Sequence, residues 1–284
     1  MRTINNRRTA AVLSASALVL GLVAISQPAL AGISNTRHNL GSGSNSVTGR
    51  AQLSPTGGGT TEICVFCHTP HGAASTVTAP LWNKLLAKTS ANYTSYTSAT
   101  SITFDAQQDG PGNVSLGCLS CHDGTQAMDN ILNAPGYNTN NNPLVTGANG
   151  MTGASWTWNL SGAGDGVTSE GLMNATNSTL NLGTNLSNDH PIGMNYCADN
   201  TPTGTGVCEA DYAPLAGTAS RRYVNTDVGG TTFTKTDFPL YSNGSITTKV
   251  ECATCHDPHT ESSQFLRMAG GNAGSQFCLA CQIK

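Results

Sequence analysis

Eight of the ten cysteines in this 284-residue chain fall into four Cys-x-x-Cys pairs: Cys64/Cys67, Cys118/Cys121, Cys252/Cys255 and Cys278/Cys281. Four such pairs admit three readings: zinc sites, a disulfide framework, or covalent attachment of c-type haem, whose signature is Cys-x-x-Cys-His. The residue after each pair decides between them. Histidine occurs only seven times, yet His68, His122 and His256 directly follow the first three pairs. Haem attachment demands that order, because two thiols form thioethers to the porphyrin edge and the next residue brings its imidazole beneath the ring as proximal iron ligand. Zinc needs no such adjacency, and its ligand pairs usually recur closer together than the 54 residues from Cys64 to Cys118. Disulfides explain the cysteines and leave the histidines unexplained. The cofactor expected is therefore haem c, in three or four copies.

The fourth pair leaves the count open, because Gln282 stands where the others have histidine. Either attachment fails there and Cys278 and Cys281 are an empty thiol pair or a disulfide, or haem attaches with its iron five-coordinate or weakly held by Gln282. Glutamine is a poor iron ligand beside imidazole.

Four histidines remain, His38, His71, His190 and His259, as many as there are pairs. All four are candidate distal ligands. His71 and His259 each lie three residues after a proximal histidine, in CVFCHTPH and CATCHDPH. Three residues span at most about 10 Å, too little to pass from one face of a haem to the other, so each is expected on the iron of a neighbouring haem. His190 in SNDHPIG and His38 in NTRHNLG sit in loop-like contexts from which a side chain can be aimed at a distant group. A methionine ligand would raise the potential of its haem, but with four histidines to spare bis-histidine ligation is the simpler expectation.

The rest of the chain is consistent with an exported, cofactor-cored polypeptide. Arg2, Arg7 and Arg8 precede an apolar run from Ala10 to Ile25 and a small-residue Ala29-Leu30-Ala31 site, the pattern of a signal peptide over 1–31. The run is shorter than the roughly 20 residues of a spanning helix, and no later segment approaches that length. Without those three arginines, the 13 basic and 16 acidic residues become a net charge of −6, which argues against a nucleic-acid partner. Leu, Ile, Val and Phe number 51 of 284, below the fraction of about one-fifth at which a self-sufficient core becomes doubtful. Haems are expected to supply the missing bulk.

Residues 32–284 are read as one cytochrome domain, mostly irregular and loop-rich, with a few short helices at the haem motifs and minor antiparallel β-structure. The expected elements are a short helix from Pro80 to Lys88, a strand over Ala154 to Leu160 placing Trp156 and Trp158 on one face, and a β-hairpin near 238–250 turning at Asn243-Gly244. Residues 130–245 hold no attachment motif. Cys197 and Cys208, with no histidine after them and a polar loop between, are read as a disulfide worth roughly 3 kcal/mol.

The segments NTRHNLG, EICVFCHTPHG, LGCLSCHDGT, LSNDHPIG, KVECATCHDPHT and QFCLACQIK resemble those of exported multihaem c-type cytochromes of metal-respiring bacteria, most closely their outer-surface tetrahaem members, some of which form electron-conducting filaments. The resemblance implies low-potential bis-histidine haems stacked in a chain. It implies electron transfer to other redox proteins or extracellular acceptors, in the periplasm or at the cell surface of a Gram-negative bacterium. In filament-forming members a distal histidine comes from the neighbouring protomer, a role for which His38 on the N-terminal arm is the expected residue. Gln282 departs from the pattern. The competing reading is a multihaem reductase of a small inorganic substrate, which needs an iron with an open position.

Overall fold

In the computed structural model, the described residues are 32–43, 60–77, 79–96, 110–133, 156, 158, 166–175, 180–196, 212–218, 221–226, 232–242, 248–268 and 271–283. The chain divides into two units, Met1–Ala31 and Gly32–Lys284, and only the second contains described residues. The expected leader, the Cys197–Cys208 crosslink and the Asn243-Gly244 turn lie outside them.

Most of the described chain is loop, as its Gly, Ser, Thr and Asn content requires. Three α-helices are described, and each carries a cysteine pair: α1 (Asn113–His122), α2 (Cys252–Cys255) and α3 (Gln276–Cys281). None has an acidic first turn, and α2 and α3 are barely one or two turns long. Such helices are too short to stand by themselves and must be held by what surrounds them. Around the first pair the helical element shrinks to one turn, with the amides of Cys67 and His68 both donating to the Cys64 carbonyl.

Among the described residues, five short strands make two antiparallel sheets. Strands β2 (Leu215–Thr218), β3 (Arg221–Val224) and β4 (Phe238–Leu240) form a meander, and β1 (Met194–Asn195) pairs with β5 (Lys249–Val250), Met194 opposite Val250. The expected hairpin is present in its legs, since Tyr241 and Lys249 exchange both backbone hydrogen bonds, at 3.0 and 2.7 Å. Its two legs then pair into different sheets, tying the meander to the β1–β5 ladder.

No helix forms over Pro80 to Lys88, contrary to the expectation from APLWNKLLAK. Leu81 adopts a left-handed φ of 55°, and the next two polar side chains are spent on tertiary bonds. The Asn83 amide donates to the carbonyls of Val65 and Asn133, and the Lys84 ammonium donates to those of Ala127 and Met128. Both residues are fully buried, and these long-range bonds outweigh local helix propensity.

The side-chain core is in three pieces. Leu40, Phe66, Met128, Trp156 and Trp158 belong to the first, Tyr93, Leu116, Leu119 and Ile192 to the second, and Tyr196, Tyr212, Val224, Phe238 and Val250 to the third. Each piece has motif cysteines packed against it: Cys67 and Cys121, then Cys252, then Cys281. The two tryptophans expected on one face are both in the first piece. Divided apolar clusters converging on attachment cysteines are what a chain poor in large aliphatics builds around an inserted planar group.

Candidate functional site

The three histidines that follow cysteine pairs are oriented alike. The Nδ1–H of His68 donates to the Pro80 carbonyl at 2.7 Å, that of His122 to Leu180 at 2.8 Å and that of His256 to Gln264 at 2.8 Å. A carbonyl can only accept, so each bond holds the proton on Nδ1 and leaves the Nε2 lone pair for a metal. Burial holds His122 and His256 below the usual imidazole range, which keeps them neutral.

Two of these carbonyls, those of Pro80 and Gln264, sit on strained backbone. His68 forms an isolated antiparallel bridge with Trp82, and His256 forms one with Leu266. Two residues before each bridge partner lies the accepting carbonyl, and the residue between, Leu81 or Phe265, has a left-handed φ of 55° or 59°. That conformation costs a non-glycine residue about 1–2 kcal/mol. It is retained where it turns a carbonyl onto the imidazole.

Each of these rings faces a second histidine from a distant segment. His68 and His259 have ring centroids 6.1 Å apart with planes 17° apart. His256 and His190 are 6.0 Å apart at 27°, and His122 and His38 are 6.2 Å apart at 65°. Metal–imidazole bonds run about 2 Å, and the ring nitrogen lies about 1 Å from its centroid, so two axial imidazoles on one metal have centroids about 6 Å apart. All three pairs have that separation. Six histidines thus stand in three pairs, each beside a cysteine pair, and the donor set fits haem iron held from both faces.

His259 faces the histidine of the first motif and His190 that of the third, so the distal partner always comes from another stretch of chain. His38, the residue expected to reach a neighbouring protomer, here lies 6.2 Å from His122 of the same chain. The arm is strapped in place by Gly32 N–H donating to the His259 carbonyl and by the Asn35 amide donating to Glu261. The His38 ring stacks on Phe265 at 4.2 Å and bonds to Pro258, and burial pushes its pKa down to about 3. His71 is exposed, and among the described residues no second histidine ring lies against it.

The thiols place the motifs next to one another in chain order. Burial raises Cys67 to about 12, with Cys121 beside it adding to the shift. Cys118 and Cys252 are hydrogen-bonded to each other. Burial lifts Cys255 to about 11, with Cys278 among its neighbours. The second and third sites also share a carboxylate. Glu251, buried immediately before α2, accepts from the Gly112 amide and the Ser115 hydroxyl at the start of α1, and Ser115 Oγ accepts from the Cys252 amide at 3.0 Å. Sequence reasoning passed over Glu251, Ser115 and Lys84, which are not themselves part of any motif although Glu251 directly precedes Cys252. It also missed the three accepting carbonyls, which are backbone atoms and leave no residue signature.

Residues 244–281 match the family model of a doubled CXXCH motif. None of the curated proteins compared matches the chain. The match spans the third and fourth cysteine pairs and ends at Cys281, one residue before Gln282. A doubled CXXCH motif indicates covalently bound haem c, as in multihaem c-type cytochromes.

Proposed function

We propose that this chain is an electron carrier, a multihaem c-type cytochrome with bis-histidine irons at its first three motifs. The reading is carried by the three histidine pairs at 6.0–6.2 Å. Cys64/Cys67 with His68 and His259, Cys118/Cys121 with His122 and His38, and Cys252/Cys255 with His256 and His190 would hold one haem each. Haem supplies a one-electron iron couple there. With an imidazole on either side, the irons of these three motifs would offer a substrate no open position. Redox titration of the matured protein should show low-potential low-spin haem. Steady turnover of nitrite, hydroxylamine or sulfite at these haems would sink the carrier reading.

An exported setting, with redox proteins or extracellular acceptors as partners, follows from the leader-like 1–31 segment and from the resemblance. Assembly into filaments rests on the resemblance too, with His71 now the histidine for that role, since His38 is engaged within the chain. His71→Ala should leave the three intramolecular pairs intact and abolish filaments in electron micrographs. Filaments persisting in this variant would rule His71 out.

A further inference from the structure

We propose that Cys278 and Cys281 carry a fourth covalently bound haem, whose iron meets no imidazole on the Gln282 side and takes up a small neutral ligand there. The proposal rests on the cytochrome reading of the other three sites. Its basis is that the fourth motif has the backbone of a haem site without the histidine.

Gln282 has φ −118° and ψ 131° where His256 has −107° and 133°. The Gln282 amide donates to the Cys278 carbonyl at 2.9 Å, as His256 does to Cys252 at 3.0 Å and His68 to Cys64 at 2.8 Å. Residue 282 also makes the same isolated antiparallel bridge, here with Tyr212, that His68 makes with Trp82 and His256 with Leu266. The residue after each bridge partner, Asn83, Arg267 and Ala213 in turn, donates its amide to the carbonyl of the second cysteine at 2.9, 3.0 and 2.9 Å. An empty or disulfide-closed pair has no need of that frame.

Packing leaves the reactive side of α3 open. Phe277 stacks on the buried Phe238 at 5.1 Å, and the Tyr196 hydroxyl donates to the Ala213 and Cys281 carbonyls, which fixes the inner face. On the outer side Cys278 and Gln282 are exposed, flanked by Leu279 at 57% and Ile283 at 59% exposure. Of the four exposed large hydrophobics among the described residues, two are here, an apolar lip suited to a porphyrin. The covalent bonds themselves are made by the two thiols, and the residue after them serves as iron ligand. Each Sγ–H adds across one haem vinyl group, forming a C–S and a C–H bond as the S–H and the vinyl π bond are lost, and no electrons leave. A carboxamide suits hard cations, whereas imidazole suits iron, so Gln282 yields readily to an incoming ligand.

The test uses the full matured protein. Intact mass should show four haems, falling to three in C278A/C281A, and carbon monoxide should change the spectrum of one haem in four in the reduced protein. Gln282→His should keep four haems and change the carbon monoxide spectrum of that haem to that of an imidazole-ligated iron. Three haems in the parent protein would overturn the proposal and leave the carrier reading standing, while no haem at all would sink both. A carbon monoxide spectrum unaltered by Gln282→His would place the open iron elsewhere and also overturn it.

Discussion

Single residues set the electronic character of each site. Parallel axial imidazole planes split the iron orbitals to which they donate, and crossed planes leave them nearly degenerate. With planes at 17° and 27° for two pairs and 65° for His122 with His38, the oxidised protein should give two rhombic low-spin signals and one highly anisotropic signal by electron paramagnetic resonance. His259→Ala should open the iron of the first motif and leave the third unchanged, although His259 is three residues from His256. Carbon monoxide binding to one additional haem, with the anisotropic signal retained, is the expected outcome.

Short elements are held by their neighbours, so their weak points are at the joints. Glu251 joins α1 to α2. Glu251→Ala would strand the buried Gly112 amide and Ser115 hydroxyl, and should cost about 2–4 kcal/mol, while Glu251→Gln should cost less because one acceptor remains. Gly193, at φ 71°, brings the start of β1 against the residues before α1, and a Cβ there would sit 2.1 Å from the Gly110 carbonyl. Gly193→Ala should therefore cost at least about 2 kcal/mol, from backbone strain plus the shift needed to relieve the clash. Thermal unfolding of the matured protein checks both, and an unchanged midpoint would contradict the joint each residue is assigned. The absent helix over Pro80 to Lys88 illustrates the same dependence, since local propensity there gives way to the tertiary bonds of Asn83 and Lys84.

Among the described residues the apolar side chains form three small clusters. Chain made without haem attachment should lack a cooperative calorimetric transition, because burial and cofactor binding are one event. The matured protein should also show a pH dependence from Asp129, buried beside Lys84 and Trp158. Burial raises its pKa from the usual 3.8 to about 6, an effect Lys84 partly offsets. A carboxyl raised in the folded state binds protons there that the unfolded chain has already released. Stability should fall by up to about 3 kcal/mol as pH rises from about 4 to 6 and then level off, and Asp129→Asn should flatten that slope.

That the chain carries CXXCH haem motifs, and that it would be loop-rich with short helices at them, was legible in sequence, because the motif sets two cysteines and a histidine in unbroken order. A local chemical requirement leaves a local signature. Which distant histidine faces which motif was not legible, since His68 with His259 and His38 with His122 are 191 and 84 positions apart and no spacing rule joins them. The surroundings of His38 were not legible for the same reason: Gly32 and Asn35 hydrogen-bond to His259 and Glu261, more than two hundred positions away. Gln282 falls between these cases. Its identity is local and visible, but the frame that makes it the base of a haem site comes from pairing with Tyr212, and only the tertiary structure brings those two together.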